Sequence, residues 1–142
     1  MPVRKADARW EGDLKGGHGH MRFGGGAFDG AYSFDSRFGE GKGTNPEELI
    51  AAAHAGCFSM ATSGALTRAG FPPTSVATTA SVNLESTPAG FRIARIDLVM
   101  EAVVPGVAEE QFKTIAEEAK KGCPVSVALS AVPITLSATL KK

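Results

Sequence analysis

Two stretches of the chain alternate every second residue. In SVATTASVNLE, Val76, Thr78, Ala80, Val82 and Leu84 share one face. In FRIARIDLVMEAVV, Arg92, Ala94, Ile96, Leu98, Met100 and Ala102 share one face, and Arg95, Asp97 and Glu101 lie on the other. A period of two marks strands, and STPAG between them is a turn, so the pair predicts an antiparallel hairpin with one wetter face. Pro105–Gly106 ends it. VAEEQFKTIAEEAKK then changes period: Phe112, Ile115, Ala116 and Ala119 form the apolar stripe of an amphipathic helix, with Gly122 as its C-cap. CPVSVAL predicts a short helix. VPITLSATL predicts a last strand, with Ile134, Leu136, Ala138 and Leu140 on one side.

The first third of the chain is less regular. A strand is expected around Ala8–Trp10. GGHGHMRFGGG, residues 16–26, holds six glycines and reads as hairpin turns and a flexible loop. A strand-like piece follows at Tyr32–Phe34, and SRFGEGKG is a turn-rich loop. TNPEEL writes a helix start: Pro46 suits the first helical position, with Asn45 as cap and Glu48 three residues on. Thr44 with Glu47 offers an alternative capping box one residue earlier. That helix should run to about Ala69, where Gly70 and the Pro72–Pro73 pair stop it.

The helix is apolar nearly all round, so it needs more cover than one sheet supplies, which predicts a homodimer that helps enclose it. Its uncharged run LIAAAHAGCFSMATSGALT is long enough for a bilayer. Its small residues and its histidine point instead to a helix buried in protein. Together the elements predict a single α+β domain over residues 1–142.

Charge excludes several functions. Fifteen basic residues balance fifteen acidic ones. No basic block suggests nucleic acid or a membrane surface. MPVRKADARW lacks the apolar segment of a secretory signal, so the expected compartment is the cytoplasm, where two cysteines do not form a permanent disulfide. GEGKGT only resembles a phosphate loop, because Gly43 separates Lys42 from Thr44. His18 and His20 have no nearby acidic or thiol residue to complete a metal site.

The thiols are then the candidate chemistry. Cys123, before Pro124, is at a helix start, where a thiolate is favoured. Cys57 sits about eleven residues inside its helix, far from the positive end of the dipole. Activation there needs a cation from elsewhere. His54, three residues earlier, shares its face. It can serve as a base, as a zinc ligand with Cys57 and Cys123, or as a core histidine, and spacing leaves all three open.

The run SRFGEGKGTNPEELIAAAHAGCFSMA closely resembles the OsmC branch of the OsmC/Ohr family, the osmotically inducible and organic-hydroperoxide-resistance proteins. GCPVS around Cys123 is similar to the second cysteine motif of that family, and ARWEGDLKGGHG to its N-terminal strand. The resemblance spans nearly the whole chain. It implies an intertwined homodimer whose long central helices are enclosed by antiparallel sheets. It implies a thiol-dependent peroxidase for organic hydroperoxides, with hydrogen peroxide as a second candidate substrate, serving oxidative and osmotic stress defence. Cys57 would be the peroxidatic thiol, Cys123 the resolving one, and Arg37 and Glu47 their polar partners.

Such chemistry needs no cofactor and no metal, only an external dithiol reductant. Phe38, His54 and Phe58 are candidate pocket residues. Glu47 and Cys57 stand ten residues apart on one helix, about 15 Å along its axis. Either Arg37 reaches between them or Glu47 serves the partner's Cys57, and the interface character of the helix favours the second. The rival functions are a metal-binding protein using His54, Cys57 and Cys123, and a redox sensor without turnover.

Overall fold

The structure is a computed structural model, and it describes residues 1–141. By internal packing the chain divides into two compact units, residues 1–49 and residues 50 onward.

The first unit is a three-stranded antiparallel sheet in the order β1 (Ala6–Glu11), β2 (His18–Phe23), β3 (Phe28–Tyr32). The glycine-rich stretch, expected to be hairpin turns and a flexible loop, is therefore not a loop throughout. Its central HGHMRF pairs with both neighbours and becomes the middle strand. Gly19 explains why glycine sits there. A Cβ would stand 2.6 Å from the Tyr32 ring and 2.8 Å from both the Trp10 ring and the Arg9 carbonyl. Glycine is the price of closing two aromatic rings over a central strand.

The strand expected at Tyr32–Phe34 ends at Tyr32 instead. Ser33 caps a short helix, α1 (Phe34–Phe38): its Oγ accepts from the Ser36 N–H at 3.0 Å, and Ser36 Oγ accepts from the Ser33 N–H at 2.8 Å. Two hydroxyls that satisfy each other's backbone donors outweigh the aromatic pattern. The long helix α2 (Pro46–Arg68) starts in this unit. Asn45 Oδ1 accepts the Glu48 N–H at 2.8 Å, which decides the cap in favour of Asn45.

The second unit carries the rest of α2, a sheet of β4 (Ser75–Thr87), β5 (Gly90–Val103) and β6 (Ile134–Lys141), and helices α3 (Glu109–Gly122) and α4 (Pro124–Ala128). β4 and β5 form the expected antiparallel hairpin, whereas β6 runs parallel to β5. This sheet is mixed, not wholly antiparallel, because α3 and α4 carry the chain back across it before β6 begins. The solvent face is tied at Asp97, which accepts from Thr135 Oγ1 at 2.7 Å, Arg95 Nε at 2.9 Å and Asn83 Nδ2 at 3.0 Å. The Thr135 bond foremost, with Arg95, holds that carboxyl below its usual range.

The core lies between the other sheet face and the helices. Ile96, Leu98, Met100 and Ala102 are buried there with Phe112, Ile115, Ala116 and Ala119 of α3, as the periodicity predicts. Each large apolar side chain so buried contributes roughly 1.5–3 kcal/mol. The predicted face of β5 does not extend to Arg92 and Ala94. A register shift at Asn83/Leu84 pairs Leu84 with Ile93, so Ile93 joins the core and Arg92 turns out toward Glu85. The bulge spares the core an arginine.

At the end of α3, Gly122 is the last helical residue and Cys123 the cap, with the Cys123 N–H bonding to the Ala119 carbonyl. α2 ends as expected. Gly70 takes φ 93°, its N–H reaches the Thr67 carbonyl, and the Phe71 N–H reaches that of Leu66.

Helix α2 is long and apolar enough to cross a membrane by length and composition. Within the chain it buries one stripe, His54, Phe58, Thr62 and Leu66, four residues apart. The expectation that it is enclosed on all sides is not met by one chain: Ala52, Ala53 and Gly56 are exposed, and Met60 is 78% exposed.

Candidate functional site

The candidate residues form two clusters, one in each unit. In the first, α1 carries Arg37 and the opening turn of α2 carries Glu47. The guanidinium grips the carboxylate with a fork: Nη2 to Oε1 at 2.7 Å, Nε to Oε1 at 3.0 Å and Nε to Oε2 at 3.2 Å. Glu47 is buried, while Arg37 stays partly exposed. Charge-assisted bidentate contacts of this kind fix the plane of the guanidinium.

Ser36, Asn45 and Thr44 set the distance between the two elements. Ser36 Oγ donates to the Thr44 carbonyl at 2.7 Å, and Asn45 Nδ2 donates to the Ser36 carbonyl at 3.0 Å. The Phe38 ring lies 5.2 Å from the guanidinium carbon. Arg37 and Phe38, with Trp10, Tyr32 and Phe34, line a cavity of about 230 Å³. Apolar rings with one cation at the wall suit a ligand with an apolar body and a polar head.

In the second unit, Cys57 on α2 meets Cys123 between α3 and α4. Their sulfurs lie 2.7 Å apart, and both are free thiols. Cys123 is fully buried and Cys57 half-buried. Burial pushes the Cys57 thiol above its ordinary pKa, and the Cys123 contact pushes it further. The Val125 backbone N–H, donating to the same sulfur, pulls the other way.

His54 is completely buried. Its Nε2 lies 2.7 Å from Ser126 Oγ, and its Nδ1 has no partner among the described residues. Burial lowers its pKa, because it disfavours the charged ring. Among the described residues no group of three His, Cys, Asp or Glu can hold a metal ion, so His54, Cys57 and Cys123 do not form the zinc site considered above. Phe58 packs in the core at 0% exposure rather than on an open wall. His18 and His20 stay on β2, and the His20 ring pairs with Asp29 at 2.9 Å.

Ser126 and Val125 were missed in the sequence, as were Ser33 and Ser36. Ser126 follows Cys123 by three residues, so helical spacing alone places it on the same side of α4.

The family model of the OsmC-like proteins matches residues 39–137. The chain is 51% identical over 139 residues to the peroxiredoxin OsmC of Escherichia coli strain K12, covering 97% of this chain and 96% of that protein. It is 33% identical over 87 residues to an organic hydroperoxide resistance protein of Xanthomonas axonopodis pv. citri strain 306, covering 61% of this chain and 59% of the other. The crystal structure of an organic hydroperoxide resistance protein OsmC from Legionella pneumophila matches the fold with a TM-score of 0.73 and 26% identity, over 98% of this chain and 99% of that one. The mixed helix-and-sheet fold, the motifs around both cysteines and a family match over most of the length lead to one conclusion: the chain belongs to the OsmC-like family.

Proposed function

We propose that Cys57 and Cys123 are the peroxidatic and resolving thiols of a peroxidase that reduces organic hydroperoxides in stress defence. The observation that carries this reading is the 2.7 Å separation of the two free sulfurs. The names of the relatives, a peroxiredoxin and a hydroperoxide resistance protein, support the same activity.

The Cys57 thiolate attacks one peroxide oxygen. An S–O bond forms, the O–O bond breaks, and the departing alkoxide takes a proton to leave as an alcohol. Cys57 becomes a sulfenic acid. The Cys123 thiol condenses with it, forming the S–S bond and releasing water, which shields Cys57 from further oxidation. An external dithiol supplies the two electrons that return both thiols. No cofactor is required.

Burial disfavours the Cys57 thiolate, so a cation must offset it. Arg37 fills that role: it is permanently charged, held in plane by Glu47, and suited to the developing charge on the leaving oxygen. Phe38 and the other rings beside Arg37 suit an alkyl or aryl tail on the hydroperoxide.

The exposed faces of α2 are the surface through which two copies pair, and Glu47 serves the partner's Cys57. Mixed dimers of a Cys57→Ser chain with a Glu47→Ala chain then regain activity at one of their two sites, and no recovery refutes the shared site. Residues 1–142 act as one domain, in the cytoplasm, without nucleic-acid or membrane partners.

The reading is tested by following peroxide consumption with excess dithiol. Cys57→Ser is inactive. Cys123→Ser reacts once and then over-oxidises. Full activity in Cys57→Ser would sink the assignment.

A further inference from the structure

Helix α4 is five residues long and does not continue the path of α3. Cys123 between them takes φ −57° and ψ 123°, and its side chain makes no capping bond. Something other than helical continuity must therefore hold α4 in place. Two pairs at a spacing of three meet across the gap: His54 and Cys57 on α2, Ser126 and Cys123 on the α4 side. His54 faces Ser126 at 2.7 Å, and Cys57 faces Cys123 at 2.7 Å.

His54 is 0% exposed and Ser126 4% exposed, so water does not compete for that bond. The imidazole spends Nε2 on Ser126, and its Nδ1 has no partner among the described residues. Packing alone does not account for a half-satisfied ring in a stripe shared with Phe58, Thr62 and Leu66.

We propose that the His54–Ser126 hydrogen bond docks α4 on α2 and so sets the reach of Cys123 for the oxidised Cys57. His54 and Ser126 are then positioning residues for the resolving step, and this rests on the peroxidase reading above. The step they serve is Cys57–SOH + Cys123–SH → Cys57–S–S–Cys123 + H₂O, in which the S–O bond breaks, the S–S bond forms and the thiol proton leaves with the hydroxyl as water. Both sulfurs must approach in line. A single tie beside them on each element fixes distance and direction together, which the sulfur contact alone does not.

The test is the partition of Cys57 between disulfide and sulfinic acid. Full-length protein is treated with rising cumene hydroperoxide and its products are counted by intact mass. The peroxide concentration that over-oxidises half of Cys57 reports the resolving rate against a second attack. Each variant is confirmed to be folded by circular dichroism before it is titrated. In Ser126→Ala this concentration falls about tenfold, the weight of one hydrogen bond. Ser126→Thr, which keeps the hydroxyl, stays within threefold of wild type. His54→Leu removes the tie from the other side, shifts the same way, and serves if Ser126→Ala does not fold. A half-point within twofold of wild type in a folded Ser126→Ala or His54→Leu protein overturns the tether. A wild type that forms no Cys57–Cys123 disulfide at all overturns the peroxidase assignment itself, a different result from a wild type that forms it and variants that form it equally well.

Discussion

Oxidation should stabilise this protein, and the size of the effect follows from where the thiols lie. Cys57 and Cys123 are 66 residues apart in sequence. A bond between them closes that loop in the unfolded chain. In the chain-entropy account such a loop removes about 15 cal/mol/K from the denatured ensemble, or about 4 kcal/mol at room temperature. For a chain of this length a kcal/mol moves the melting midpoint by about 3 °C. The oxidised protein should therefore melt up to about 13 °C higher than the reduced one, less whatever strain the bridge imposes. The folded chain already brings the two sulfurs to 2.7 Å, so little rearrangement should be needed to join them. The assay is scanning calorimetry of protein reduced with a dithiol, of protein oxidised with one equivalent of hydroperoxide, and of Cys123→Ser treated both ways. The wild type gains a higher midpoint on oxidation and loses it on reduction, while Cys123→Ser gains nothing. An oxidised wild type that melts at or below the reduced midpoint refutes the argument, because the bond would then be forming at the expense of the native packing.

Three further outcomes are expected. Arg37→Lys keeps the charge but loses the fork to Glu47, so sulfenic acid formation in stopped-flow slows by about 10- to 100-fold, and a wild-type rate would refute the role of the fork. Because Arg37 is partly exposed, its melting midpoint changes little. Burial holds the His54 imidazole below its ordinary pKa of 6.5, so the unfolded chain binds a proton that the folded one does not. Its contribution to stability is complete above about 6.5 and is lost as the pH falls from there through the lowered value. Urea unfolding between pH 7 and 5 should thus be steeper in pH for wild type than for His54→Gln, and equal slopes would refute this. Phe58→Ala removes a fully buried ring and should cost about 3–5 kcal/mol in urea unfolding. A loss under about 1 kcal/mol would mean that the α2 stripe is not core.

Much of the local structure could be read directly. The period of two in β4, β5 and β6, the stripe of α3, the Asn45–Pro46 start and the Gly70 stop of α2 are all features of neighbours in sequence, and each appears where expected. The cysteines stood out by residue type, but which thiol partners which entered only by resemblance to a family. Periodicity says which side of an element faces inward. It does not say what it faces.

Apart from the local Ser33–Ser36 capping box that ends β3, what failed or was missed belongs to that second question. HGHMRF looks like loop until two strands flank it, and its glycine is demanded by rings thirteen residues ahead and nine residues behind. Ile93 rather than Ala94 turns inward because a bulge against β4 shifts the register. Ser126 matters because of His54, 72 residues away. By itself the sequence determined most of the elements, the inward faces of α3 and β6, and the demand that Cys57 find a cation from outside its helix. Tertiary structure alone decided that Cys57 touches Cys123, that Arg37 is gripped by Glu47, and that His54 meets Ser126. Such contacts join groups far apart along the chain, so no local pattern of side chains can encode them.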